Sequence, residues 1–325
     1  MFTRVRRPSW WAVAVAAAVL LTSACSGGAT GAGGSGTDSI VIGALPVIDD
    51  VSAYIAADEG IYQRFGLNVT LKQVASSTVA ISQMKTGAIN ILGGGNYVSF
   101  IQQAAADPAN PPFKILAEGA TCSPGSFNVL ALSSSGIQTP ANLAHKTIAV
   151  NIPNNIQTLT INSVLTADGV NPATVRYVVI PFPKMGAALK AHQVDAISAV
   201  EPFATAAEQS SGAEPVLDQC SGPTSDLPLS GYFSTSAWAQ QHADVVHRFQ
   251  EAITQAQEVA DTNRLEVEKT LVKYVTGLTP EEAGTITLEQ FPTSADAVQL
   301  DRVSDLMREA GLLQGPIQAG ALIQG

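Results

Sequence analysis

The sequence predicts an α/β fold of two lobes, and three observations carry that prediction. From residue 39 to residue 132, short β-branched runs alternate with helix-period segments, stopped by Gly or Pro. The same alternation returns over about residues 130–225, without being a sequence repeat of the first. The C-terminal third is helical and offers no obvious new sheet, so its helices must pack on one already built. Such alternation argues for layered lobes with mostly parallel strands. The economical path sends the chain back to the first unit near Tyr232, joining two lobes by two crossovers.

In chain order, SIVIGAL (39–45) reads as a strand ended by Pro46. Residues 51–64 carry Tyr54, Ile55, Ile61 and Tyr62 near helical spacing, and Gly66 stops them. LNVTLKQV (67–74) alternates like a strand. Ser77 or Thr78 is expected to cap a helix bearing Val79, Ile81 and Met84, closed by Gly87. A strand over 88–92 runs into Gly93-Gly94-Gly95-Asn96, a helix follows over 97–106, and 113–118 and 127–132 read as strands. In the second unit KTIAV (146–150) is a strand, and Asn154 or Asn155 caps a helix reaching Ala167, with Gly169 as its stop. Strands over 175–180, 196–200 and 214–217 then alternate with helices over 184–191 and 203–209. Near the C-terminus, a helix over 237–262 sets Val246, Phe249, Ile253, Ala256 and Ala260 on one stripe. Leu300, Val303, Met307 and Ala310 form another, ended by Gly311.

The start of the chain reads as an address. Arg4, Arg6 and Arg7 precede an apolar run of twelve, WWAVAVAAAVLL, and then Thr22-Ser23-Ala24-Cys25. A basic start, a short apolar stretch and small residues describe an export signal, and a bilayer span takes about 20 residues. Cys25 after small residues resembles a bacterial lipobox, with Thr22 where Leu is commonest. That likeness implies a signal peptide over 1–24 and a lipidated Cys25 heading a Gly/Ser-rich tether over 25–38. The alternative is ordinary secretory cleavage with Cys25 a bystander.

Composition narrows the function. With 46% hydrophobic residues the chain can build a core, and its net charge of −10 argues against nucleic acid. Three Cys and four His, with no Cys-x-x-Cys or His-x-x-x-His pair, leave little for a metal centre, and no cofactor is expected. No Gly-x-Ser-x-Gly elbow occurs, and His145, His192, His242 and His247 lie away from the expected strand ends, so an enzyme is not expected. An exported chain lives where disulfides persist. With Cys25 lipidated, Cys122 and Cys220 remain, both placed near the crossovers, and a Cys122–Cys220 disulfide is expected; two buried free thiols are the alternative.

Five segments carry a family resemblance: IVIGALPVIDDVSAYIAADEGIYQRFGLNVTL, MKTGAINILGGG, LAHKTIAV, ALKAHQVDAISAVEPF and LDRVSDLMREAGLL. In this order, behind a lipobox, they resemble the solute-binding proteins of ABC importers that serve nitrate, sulfonates, taurine and thiamine-precursor pyrimidines. The likeness covers about residues 39–323 and departs at Asn90, Ala144-His145 and His192, all of which read as scaffold positions. It implies a periplasmic-binding-protein-like fold of type II, with residues 39–129 and 230–325 as lobe one and 130–229 as lobe two. It also implies a monomer, anchored by lipid to the outer face of a bacterial cell membrane. Hinge closure on a small solute and delivery to ABC permease subunits would follow. A ligand-sensing module for a membrane receptor is the alternative.

In open α/β sheets ligands bind beyond the carboxyl ends of strands, beside helix N-termini. That rule selects Asp49, Asp50, Gly95 and Asn96 in lobe one, and Asn151, Asn154, Asn155, Thr158, Phe182 and Glu201 in lobe two, with Tyr232 as a possible wall. Each has a plainer reading. Asp49, Asp50 and the Asn residues suit helix caps, Gly95 a tight turn, Glu201 solvent, and Phe182 the core. No Lys or Arg falls among them, which tilts the expectation away from sulfonate or nitrate and toward an amine, amidine or hydroxyl-rich solute.

Overall fold

The computed structural model describes residues 37–325; the expected signal segment, Cys25 and almost all of the tether lie outside the described residues. Among the described residues ten strands form two sheets: β1 (Asp38–Ala44), β2 (Leu67–Gln73), β3 (Ile91–Asn96), β4 (Phe113–Thr121), β5 (Phe127–Leu132), β6 (Thr147–Val150), β7 (Arg176–Val179), β8 (Ala196–Val200), β9 (Ala213–Asp218) and β10 (Pro228–Thr235). The first sheet has the order β2-β1-β3-β10-β4 and the second β7-β6-β8-β5-β9. Both are mixed. β1 runs parallel to β2 and β3 while β10 is antiparallel to β3 and β4. β6 runs parallel to β7 and β8 while β5 is antiparallel to β8 and β9.

The helices are α1 (Val51–Asp58), α2 (Ile61–Arg64), α3 (Ser77–Lys85), α4 (Tyr97–Ala106), α5 (Ile156–Ala167), α6 (Phe182–Lys190), α7 (Phe203–Ser211), α8 (Ser236–Gln241), α9 (Ala243–Thr262), α10 (Arg264–Tyr274), α11 (Pro280–Ala283) and α12 (Ala297–Glu309). They cover both faces of each sheet. On one face of the first sheet, Phe249, Ile253, Ala256 and Ala260 of α9 join Tyr62, Leu116 and Tyr232. On the other, Tyr97 and Phe100 of α4 and Leu300, Val303 and Met307 of α12 meet Leu92 and Phe233. The second sheet is covered by α6 and α7 on one face and α5 on the other. Each large apolar side chain taken fully out of water is worth about 1.5–3 kcal/mol, so these four layers are the principal driving force. No helix among the described residues is long and apolar enough to cross a membrane.

Several elements differ from the sequence reading, each for a local reason. The helix expected over 51–64 breaks at Gly60, whose φ of 64° ends α1 before α2 begins. The cap of α3 is Ser76, whose side chain accepts from Val79 N. β3 begins at Ile91 because Asn90 turns its amide oxygen onto Val41 N at 2.8 Å and the glycines extend the strand instead of leaving it. The helix expected over 237–262 is interrupted at His242. β10, PLSGYFST, is the largest omission: it enters the first sheet centrally and is buried for most of its length, so it shows no alternation to read. Cys122, just after β4, is bonded to Cys220, just after β9, with Cα atoms 5.2 Å apart and 98 residues between them in sequence.

Candidate functional site

Residues that follow β1, β2, β6 and β7, with residues of β3, the first of β5 and the last of β8, line a common space between the two sheets. Its cavity volume is about 40 Å³, enough for two or three waters. The lobes are in direct contact around it. Ile48 N donates to Glu201 O at 3.0 Å, Gln102 Nε2 to Asn154 O at 3.4 Å and Gln209 Nε2 to Thr285 Oγ1 at 3.0 Å.

The wall from the second sheet is a closed amide network. Asn155 caps α5, its Oδ1 accepting from Thr158 N at 3.4 Å, and Thr158 Oγ1 returns a bond to Asn155 O at 2.9 Å. Gln157 binds this turn to the sheet. Its Oε1 accepts from Asn151 N at 2.7 Å and from Asn155 Nδ2 at 2.9 Å, and its Nε2 donates to Ser198 O at 2.7 Å and to Ser198 Oγ at 3.1 Å. Asn151, Asn155 and Gln157 line the cavity, together with Phe182 at the start of α6. Thr158 is buried behind them. Asn154, with φ 50°, is exposed, and its carbonyl meets α4 instead of the cavity.

The wall from the first sheet carries charge. Asp49 lies in the 3-10 turn Ile48–Asp50 ahead of α1 and lines the cavity, and its buried Oδ1 has no hydrogen-bond partner among the described residues. Burial pushes its carboxyl up to about 6, against opposing help from its own main chain and the Ser230 hydroxyl. Asp50 does not face the cleft. It is fully buried under the sheet, Oδ2 accepts from Leu45 N at 3.0 Å, and burial holds its carboxyl well above the carboxylate range. Neither aspartate caps α1 through its side chain. A Cβ on Gly93 would overlap the Asp50 carboxylate, so only glycine fits there. Gly95 is also a packing position. A Cβ on it would lie 2.8–2.9 Å from Phe233, Leu92 and Phe100, and it is Gly94 that reaches the cavity. Asn96 lines the cavity but spends its amide on structure, with Oδ1 accepting from Ser99 N at 3.0 Å and Nδ2 donating to Ser77 Oγ at 3.0 Å.

Two candidates turn inward. Tyr232 has no exposure and packs edge-on to Phe249, with ring centroids 5.6 Å apart, so it is core and not cleft wall. Glu201 is buried and spends its carboxylate on the first turn of α7: Oε2 accepts from Thr205 N at 3.1 Å and Oε1 from Thr205 Oγ1 at 2.9 Å. Its Oε1 also accepts from Thr287 N at 3.4 Å.

Sequence reasoning left Ser77, Phe127 and Val200 out of the site, although all three line the cavity, as does Gln157, which falls within the 151–158 segment that the strand-end rule selects. It also missed Glu289, which is buried with neither carboxylate oxygen partnered among the described residues; burial and the charges of Asp49 and Glu201 hold it far above the carboxylate range. Among the described residues the cavity lining includes one acid, Asp49, and no Lys or Arg.

A family model described as the NMT1-like family matches residues 33–276. No curated protein sequence matches the chain. Among solved structures it is similar to the alkanesulfonate-binding protein SsuA from Xanthomonas axonopodis pv. citri, bound to MOPS. The identity is 19%, covering 88% of this chain and 98% of that one, with a TM-score of 0.73. The periplasmic nitrate-binding protein NrtA from Synechocystis PCC 6803 is 14% identical over 88% of this chain and 85% of its own, with a TM-score of 0.74. The ligand-binding component of an ABC-type import system from Staphylococcus aureus, with zinc bound, is 13% identical over 89% of this chain and 96% of its own, with a TM-score of 0.73. At these identities the likeness establishes the two-lobed periplasmic-binding-protein fold.

Proposed function

Given that the chain belongs to the NMT1-like family, we propose that it is an extracytoplasmic solute-binding protein that delivers a small polar solute to an ABC importer. The observation that carries this reading is the cavity between the lobes, walled from both sheets and lined by unlike polar groups. Solved structures of the same fold include sulfonate- and nitrate-binding proteins and an importer component, which supports a binding task over catalysis.

The mechanism follows from the size of that cavity. A space of about 40 Å³ admits no solute larger than a few waters, so entry requires the lobes to part. The proposed moving bodies are residues 39–129 with 230–325, and residues 130–229. The contacts that must yield include Ile48 with Glu201 and Gln102 with Asn154. A solute favours closure only by binding the closed form more tightly than the open one. The Cys122–Cys220 bond ties the two crossovers on which such motion would turn. The proposal includes an export signal over 1–24 and lipidation at Cys25, which would hold a monomeric body at the outer membrane face beside its permease.

Small-angle scattering on the full-length protein, with and without a bound solute, tests the reading. The expected result is a smaller radius of gyration with solute. A solute that binds and leaves the scattering curve unchanged would overturn the hinge mechanism.

A further inference from the structure

The cleft has two chambers of different character. The inner one is the small cavity in which Asp49, Asn151 and Asn155 meet apolar side chains such as Leu45 and Phe127. Next to it, sharing Leu45, Val47 and Phe182, a larger groove of about 330 Å³ opens between the same lobes. Its walls are almost entirely carbon, with Pro46 and Val74 from lobe one and Pro181, Pro183 and Phe203 from lobe two. Phe182 and Phe203 stack there, centroids 5.9 Å apart and planes at 6°. Gln73 is the polar side chain on the groove, and its amide is engaged with Tyr274 O at 3.0 Å.

The inner chamber sets the carboxyl of Asp49, whose buried Oδ1 has no partner among the described residues, beside neutral amides, and no Lys or Arg among those residues lines it. Asp50 and Glu289 lie behind Asp49, and burial holds both carboxyls well above the carboxylate range, so neither offers an anion a positive partner. An anion in that chamber would be desolvated against these carboxyls without a compensating charge, which is costly. A group that donates hydrogen bonds would instead meet the carboxyl of Asp49. The groove outside rewards apolar surface at about 25 cal/mol per Å² buried.

Resting on the solute-binding reading, we infer that the solute is an amphiphile with a cationic, hydrogen-bond-donating head for the Asp49 chamber and an apolar body for the Phe182–Phe203 groove. The head is of the ammonium or amidinium class, and the molecule bears no sulfonate, carboxylate or nitrate group. This assignment separates the chain from the sulfonate- and nitrate-binding proteins that share its fold.

Matched probes test it. Calorimetry on the full-length protein in non-ionic detergent compares benzylamine with benzenesulfonate, and benzylamine with methylamine. Benzylamine is expected to bind more tightly than either partner. Asp49→Asn is expected to weaken benzylamine by at least about tenfold, and Phe203→Ala to narrow the gap between benzylamine and methylamine. Circular dichroism on both variants checks that each remains folded. Tighter binding of benzenesulfonate than of benzylamine would overturn the assignment and leave the solute-binding reading standing. Equal binding of methylamine and benzylamine would overturn the apolar half. If no probe binds, the assignment falls, while the solute-binding reading is judged separately by native mass spectrometry for a co-purified solute and by the scattering change on closure.

Discussion

The two walls of the cleft solve the same problem differently. On the second sheet's side, a buried polar cluster is closed on itself. Gln157 alone serves Asn151, Asn155 and Ser198, and the amides are neutral. On the first sheet's side, buried carboxyls at Asp49 and Glu289 keep oxygens with no partner among the described residues, and burial raises both. A satisfied network is rigid and specific, whereas an unsatisfied one holds free energy that a ligand can recover. Under the proposed solute-binding function, lobe two would be the preformed half of the site and lobe one the half that a solute completes.

The comparison breaks most sharply where the lobes are tied together. Replacing Cys122 and Cys220 with Ser removes a cross-link over 98 residues and is expected to cost about 4 kcal/mol. Urea unfolding measures it, and a loss below about 1 kcal/mol would mean that the crossovers hold themselves without the bond. Next comes Gln157→Leu. It strands the Asn151 N–H, the Asn155 amide and the Ser198 carbonyl in a buried turn, at an expected cost of about 3 kcal/mol. Hydrogen exchange should show the loss concentrated in β6 and α5. A loss spread evenly over both lobes would contradict a locally closed network.

A smaller effect is electrostatic and belongs to the other wall. Folding raises Asp49 from 3.8 to about 6, so between those values the folded protein holds a proton that the unfolded chain has released. The contribution is greatest at low pH and is lost as pH rises through about 6, which amounts to about 1 kcal/mol between roughly pH 5 and pH 7. The charged and titratable groups around Asp49, namely Asp50 and Glu289 with the Ser230 hydroxyl, are shifted in the same sense or stay neutral. Solute-free protein should therefore melt higher at mildly acidic pH, and Asp49→Asn should flatten that slope. A slope unchanged in the variant would assign it to the other acids. The smallest expected effect is Asn96→Ala, the loss of the α4 cap, at about 1 kcal/mol in equilibrium unfolding.

The order of elements was legible because Gly and Pro punctuate it and because helices such as α9 and α12 carry regular stripes. What escaped was local burial. β10 lacks alternation because both its faces are covered, and Gly95 reads as ligand-facing when it is packed against side chains from elsewhere in the fold. In the site, the strand-end rule reached Asp49, Asn96, Asn151, Asn155 and Phe182, all of which line the cavity. It reached Asp50, Glu201 and Tyr232 equally, and these turn inward. Adjacent positions such as Asp49 and Asp50 share every sequence signal and differ only in which way one turn of 3-10 helix points them.

The chain's own pattern thus determined the α/β class, the alternation, the residues of the strand-end loops and the two cysteines available for pairing. These are local properties, set by periodicity, capping and the chemistry of each side chain. Only the tertiary structure decided which of those loops meet, which polar groups find partners and which stay open. Hydrogen-bond satisfaction and burial depend on residues distant in sequence, as Gln157 on Ser198 and Asp50 on Gly93 show. The unmet oxygen of Asp49 and the apolar groove beside it arise at that level alone.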